Sequence, residues 1–132
     1  MDNNNIDIVK RMNNAAQSKD FETVKSLLHP KYTLKDPMIN FNSAQEFLEG
    51  MKDCPFTCSL ENVDFITEGN KVVQTLDMVV TSPVSYRSRV CSVMTIEDGK
   101  IRSEEMFYDT AQIPKEAKEI GEKMLKDKKK AA

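Results

Sequence analysis

The chain has 132 residues, with 19 Lys and Arg against 21 Asp and Glu, a formal net charge of -2, and 39% hydrophobic and 30% charged residues. A single domain of this length buries roughly two thirds of its unfolded surface and holds a core without disulfide or metal staples. Positive charge is spread rather than massed, so the field that draws a protein to nucleic acid or to an anionic membrane is missing, and neither partner is expected.

Met1-Asp2-Asn3-Asn4-Asn5 has neither the basic start nor the apolar stretch of a signal peptide, and no apolar run approaches the ~20 residues a membrane span needs. A soluble, cytoplasmic protein is expected, with one domain over residues 1–132 and frayed ends at 1–4 and 127–132. Cys54, Cys58 and Cys91 match no metal or redox spacing, and on a shared strand Cys54 and Cys58 would stand about 13 Å apart, too far for a disulfide. The single histidine, His29, precedes Pro30 at the expected end of a helix, where a metal or nucleophile system lacks partners. No metal is expected.

Ile8, Met12 and Ala15 or Ala16 recur at helical spacing, as do Phe21, Val24, Leu27 and Leu28 after a break near Ser18 to Asp20, which predicts two helices. Lys31 to Asp36 follows as a short strand ended by Pro37, which has no amide hydrogen for a ladder. Ser43, with Glu46 three residues on, caps a third helix whose apolar side is Phe47, Leu48 and Met51. Four strand-like segments then follow: Phe56 to Ile66, Lys71 to Thr81, Ser85 to Ile96 and Ile101 to Tyr108. Turn chemistry at Gly69-Asn70, Ser82-Pro83 and Asp98-Gly99 separates them; the Asp-Gly pair suits a type I′ hairpin, which needs positive φ at both central residues. Pro114 opens a terminal helix with the stripe Ala117, Ile120, Gly121, Met124 and Leu125, which must dock on the sheet, close a cavity mouth or meet a partner. Helices segregated to one side of an antiparallel meander define the α+β class, a curved sheet wrapping the N-terminal helices into a cone with an apolar interior.

This order of elements, with Leu34-Lys35-Asp36-Pro37 ahead of the third helix and Ile96-Glu97-Asp98-Gly99-Lys100-Ile101 and Phe107-Tyr108-Asp109 late in the meander, resembles the nuclear transport factor 2-like superfamily. Within it, the SnoaL-like branch, which includes polyketide cyclases and lies close to ketosteroid isomerase, is the nearest look-alike, over about Ile6 to Gln112. The resemblance implies a cone-shaped α+β barrel with a deep apolar pocket between the first helix and the sheet, and homodimerisation through the outer sheet face. It implies no single activity, because the superfamily holds isomerases, dehydratases, cyclases, epoxide hydrolases and members without chemistry.

Asp36 stands in an Asp-Pro matching that of the isomerase's general base, so the resemblance gives it that role; the plain alternative is a strand end with an exposed acid. By family spacing Met12 occupies the place of the isomerase's oxyanion tyrosine and Ser92 lies near that of its protonated aspartate, and neither supplies an equal donor, which argues against steroid isomerisation. Asp109 sits where polyketide cyclases carry an acid/base aspartate, but the preceding strand lacks their histidine, and Asp109 is equally suited to cap the turn toward Pro114. Tyr108 either donates its hydroxyl into the pocket or packs.

Alternation puts Glu104, Met106 and Tyr108 on one strand face and Glu105, Phe107 and Asp109 on the other, and Ser92 with Met94 on one face of the preceding strand. Among eight methionines, Met12, Met94 and Met106 are candidate pocket walls, or core. Asp77 is expected to pair across strands with Arg87 or Arg89, register deciding which; an inward arginine would instead point to a carboxylate ligand. The sequence supports a pocket protein for an apolar small molecule, working without metal or organic cofactor, with catalytic candidates Asp36, Tyr108 and Asp109 and binding candidates Met12, Ser92, Met94 and Met106. The alternative is a non-catalytic association module of the same fold.

Overall fold

A computed structural model describes the backbone of residues 3–131 and the side chains of residues 4–126. Apart from Asn4, the ends expected to fray lie outside the described side chains. The elements run α1 (Asn3–Ser18), α2 (Phe21–Leu27), β1 (Leu28–Lys35), β2 (Asn40–Phe41), α3 (Ala44–Asp53), β3 (Thr57–Glu68), β4 (Lys71–Ser82), β5 (Tyr86–Glu97), β6 (Lys100–Phe107) and α4 (Lys115–Ala131). Among the described residues no helix is long and apolar enough to cross a membrane.

Local chemistry sets the helix starts. The Asp20 carboxylate caps α2 by accepting from the Thr23 amide at 3.2 Å and its hydroxyl at 2.6 Å. Ser43 caps α3 by accepting from Glu46 N at 3.1 Å, while the Glu46 carboxylate reaches back to Asn42 N at 2.8 Å. The Asp98-Gly99 turn has φ of 55° and 73°, the two positive values a type I′ hairpin needs, and it joins Glu97 to Lys100 in register.

The six strands form one curved, unclosed sheet in the order β2-β1-β6-β5-β4-β3. β3 through β6 are the antiparallel meander; β1 joins it parallel to β6, with Leu34 opposite Glu104 and Lys35 opposite Glu105. One sequence expectation gives way here, and one strand had no sequence signal. β1 starts at Leu28, so Leu28 and His29 belong to the strand rather than to the end of α2, and the register shift between Leu28 and Thr33 absorbs the Pro30 that cannot join a ladder. The hairpin strand β2 carries no alternation long enough to detect.

A bulge in β3 sets Asn62 and Val63 against one residue of β4, with Asn62 at φ 51°, and bends the sheet around the helices. On the outer face, Asp77 is directly opposite Arg89 and accepts from it at 3.2 Å, and Arg87, two pairs along, reaches Asp77 at 3.1 Å and Glu61 at 3.2 Å. Both arginines point away from the interior. On the inner face, Val72, Met94, Ile96 and Ile101 make a solid core with Val9 of α1 and Val24 of α2.

Candidate functional site

The other end of the concave face is not filled. Between α1, α3 and the inner sheet lies a cavity of about 400 Å³, walled mostly by apolar side chains, with Met12 of α1, Phe47 of α3, Leu76 of β4 and Met106 of β6 among them; Met124 of α4 reaches it from the C-terminal helix. The inward parity of each strand supplies the wall: Gln74, Leu76, Met78 and Val80 from β4, Ser88, Val90 and Ser92 from β5, Glu104 and Met106 from β6, with Tyr108 just beyond.

Asp36 lines this cavity one residue past β1. The Tyr108 hydroxyl donates to Asp36 Oδ1 at 2.5 Å, and the Met38 amide donates to the same oxygen at 2.8 Å. Oδ2 has no protein donor among the described residues and is the oxygen left to take a proton. Burial, then the hydrogen bond to Asp36 and its charge, push the Tyr108 hydroxyl far above its ordinary value, so the phenol keeps its proton.

A second acid was missed as a candidate. Glu104 projects from β6 into the same cavity, accepting from Ser92 Oγ at 2.6 Å on Oε2 and from Tyr32 Oη at 3.2 Å on Oε1. Burial raises its carboxyl above 4.5, the Ser92 and Tyr32 hydroxyls pull it back, and the charge of Asp36 adds to the rise. Tyr32 is fully buried against Phe47, ring centroids 5.1 Å apart, and burial with the neighbouring Glu104 keeps its hydroxyl protonated. Alternation in β6 had already put Glu104 with Met106 and Tyr108; a charged residue at an inward strand position was the available signal. From α1, Asn13 donates to the buried Gln74 of β4 at 2.8 Å, an amide pair inside the wall that no local pattern couples.

Of the sequence candidates, Asp36, Tyr108, Ser92, Met12 and Met106 come together at the cavity. Met94 does not line it. It shares the inner face of β5 with Ser92, as alternation required, but lies one step further along, opposite Val72, where the interior is closed; at 1% exposure it is core. Asp109 does not line it either: the residue is exposed and caps the 3-10 turn Thr110–Gln112 by accepting from Ala111 N at 2.9 Å.

Cys54 caps the end of α3 rather than sharing a strand with Cys58, so the extended-strand separation does not apply; both thiols are free and face the cavity. Burial and the neighbouring Cys54 raise the Cys58 thiol, against a lowering from Lys19, which favours its protonated form. His29 does find partners: its Nε2 lies 3.8 Å from both Glu97 and Asp98, away from the cavity. Its Nδ1 accepts the Lys31 amide at 3.0 Å, so the neutral ring carries its proton on Nε2, and Arg102 already faces Glu97 at 3.7 Å. Those features suit a polar contact rather than a cation ligand.

An α+β cone with a cavity between its helices and sheet defines a class of small-molecule pocket folds. The SnoaL-like domain model matches residues 9–104, and the chain belongs to that family. Among solved structures of similar fold are an epoxide hydrolase of the LEH-like type from M. tuberculosis (18% identical, 93% of this chain and 95% of that chain covered, TM-score 0.76). TerC co-crystallised with polyporic acid (20% identical, 82% and 93% covered, TM-score 0.71) is another. A protein with a cystatin-like fold from Xanthomonas campestris (23% identical, 82% and 93% covered, TM-score 0.69) is a third. No curated protein matches the sequence.

Proposed function

We propose that this chain binds an apolar organic molecule in the cavity between α1 and the concave sheet face and performs cofactor-free acid/base chemistry on it, isomerisation, dehydration or cyclisation, with Asp36 as general base. The observation that carries the reading is the Asp36 carboxylate at an apolar cavity, one oxygen held by Tyr108 and Met38 N and the other open. The two bonds on Oδ1 hold the carboxylate in place and leave Oδ2 for the proton of the bound molecule. Met12 and Met106 are the adaptable walls that suit a flat apolar ligand. Membership of a family whose fold also carries an epoxide hydrolase supports the small-molecule reading.

The test is deuterium uptake. Incubated in heavy water with a panel of apolar ketones, the wild-type chain should catalyse exchange of hydrogens next to the carbonyl, followed by NMR. Asp36→Asn should slow that exchange by about a hundredfold or more, the range a general base supplies. Equal exchange in both proteins removes Asp36 as the base.

A second reading, association through the outer sheet face as a homodimer, is favoured by the outward Phe107 and Ile66, 49% and 71% exposed. Sedimentation at rising concentration tests it, and Phe107→Lys should shift a dimer to monomer.

A further inference from the structure

Buried carboxylates in folded proteins are neutralised by a cation or lose their charge. Glu104 has two hydroxyl partners and, among the described residues, no cationic one. Ser92 and Tyr32 each hold one carboxylate oxygen, which fixes the plane of the group and leaves further lone pairs free. Among the described residues, the charged groups on the cavity wall are Lys19, Asp36 and Glu104, two acids and one base. Lys19 is exposed and acts on Cys58 of β3, three strands across the sheet from Glu104. The two arginines of β5 are committed to Asp77 and Glu61 on the outer face, and Arg102 of β6 to Glu97 and the Lys31 carbonyl.

The two acids also stand on one face at a defined offset. β1 and β6 are parallel with Leu34 opposite Glu104, so Asp36 is two residues further along and one strand over. That places the carboxyls apart by about two strand rises along the sheet, near enough to feel each other and far enough to engage different parts of one ligand. With both carboxyls ionised this end of the cavity repels a carboxylate ligand and draws an ammonium.

We infer that the ligand class is an apolar molecule carrying a protonated amine, with Glu104 as the anchor of the ammonium and Asp36 left to act further along the ligand. This rests on the reading of the cavity as the ligand site. It excludes the fatty or aromatic acids that an apolar cavity alone would admit. It also separates Glu104 from a role as a neutral donor to a carbonyl, because an amine needs the charge and a carbonyl needs the proton.

Three probes on one ring system decide it: naphthylmethylamine, naphthylmethanol and naphthoic acid, titrated calorimetrically into the full chain at neutral pH and low salt. The amine should bind about tenfold more tightly than the alcohol, and the acid more weakly than either. Glu104→Gln keeps the shape and offers an amide donor; it should abolish the amine's advantage while the alcohol still binds. Should the variant fail to fold, the wild-type order of amine over acid still decides. If the alcohol binds but the amine is no tighter than the alcohol or the acid, or if the glutamine variant keeps the amine's advantage, the amine assignment is overturned and the cavity stands as a site. If none of the three binds, both readings are overturned.

Discussion

The Tyr108 hydroxyl donates to Asp36 Oδ1 at 2.5 Å across 72 residues of chain. Parallel pairing of β1 with β6 brings the two together: with Lys35 opposite Glu105, Asp36 is abreast of Met106 and Tyr108 lies two residues on, at the same inward parity. Tyr108→Phe leaves Asp36 Oδ1 with the Met38 amide alone. The expected outcome is a loss of about 1 kcal/mol of unfolding free energy in urea. Deuterium exchange should fall about tenfold, with kcat affected more than KM, because positioning rather than binding is lost.

Glu104 makes stability depend on pH in a direction opposite to the carboxylates of Asp20 and Asp77. Its folded-state value is raised above 4.5, so the native state holds the proton longer than the unfolded chain does. Its contribution is therefore fully present below 4.5 and is lost as pH rises through the raised value. Asp20 and Asp77, both lowered, contribute above their ordinary value of 3.8 and lose that contribution as pH falls. Calorimetric Tm values of wild type and Glu104→Gln across this range isolate the first effect: the variant should gain on the wild type steadily as pH rises. A constant difference would show that Glu104 does not titrate differently in the two states.

Met94 and Met106 separate core from wall. Met94→Ala empties a closed part of the interior and should cost about 2–5 kcal/mol, with little change in ligand affinity. Met106→Ala only enlarges an existing cavity, so its cost should stay near 1 kcal/mol while probe affinity falls. Chemical denaturation and titration of the naphthyl probes measure both.

Gly50 is set by a ring. A Cβ there would stand 2.6 Å from Phe41 Cζ and 2.9 Å from Cε1, and Phe41 is itself edge-on to Phe47 with centroids 5.8 Å apart. Alanine gains up to about 1 kcal/mol of helix propensity, but overpacking costs about 1–3 kcal/mol, so Gly50→Ala should be destabilising by about 1 kcal/mol net. A gain in stability would mean that Phe41 swings away without loss.

Much of this architecture follows from local signals. The Asp-Gly turn, the Ser43 cap and the alternation late in β5 and β6 each act over a few residues, and each appears where the sequence places it. What local pattern does not carry is where along a strand the interior stops being solid. Ser92 and Met94 share a face, yet one borders the cavity and the other is core, because α1 and α2 fill only one end of the cone. Glu104 was visible as an inward acid, but its importance depends on Tyr32, 72 residues away, and on the register of a parallel pair that no turn announces. For Asp109 the cap and the acid/base role fitted the sequence equally, and the geometry of the 3-10 turn places the side chain at the cap.

The most direct test is a crystal structure of the chain soaked with naphthylmethanol. Ring density between Met12 and Met106, with the hydroxyl in hydrogen-bonding reach of Asp36 or Tyr108, is the predicted result. An interior closed by side chains, with the probe absent or seated on the outer sheet face, would contradict it.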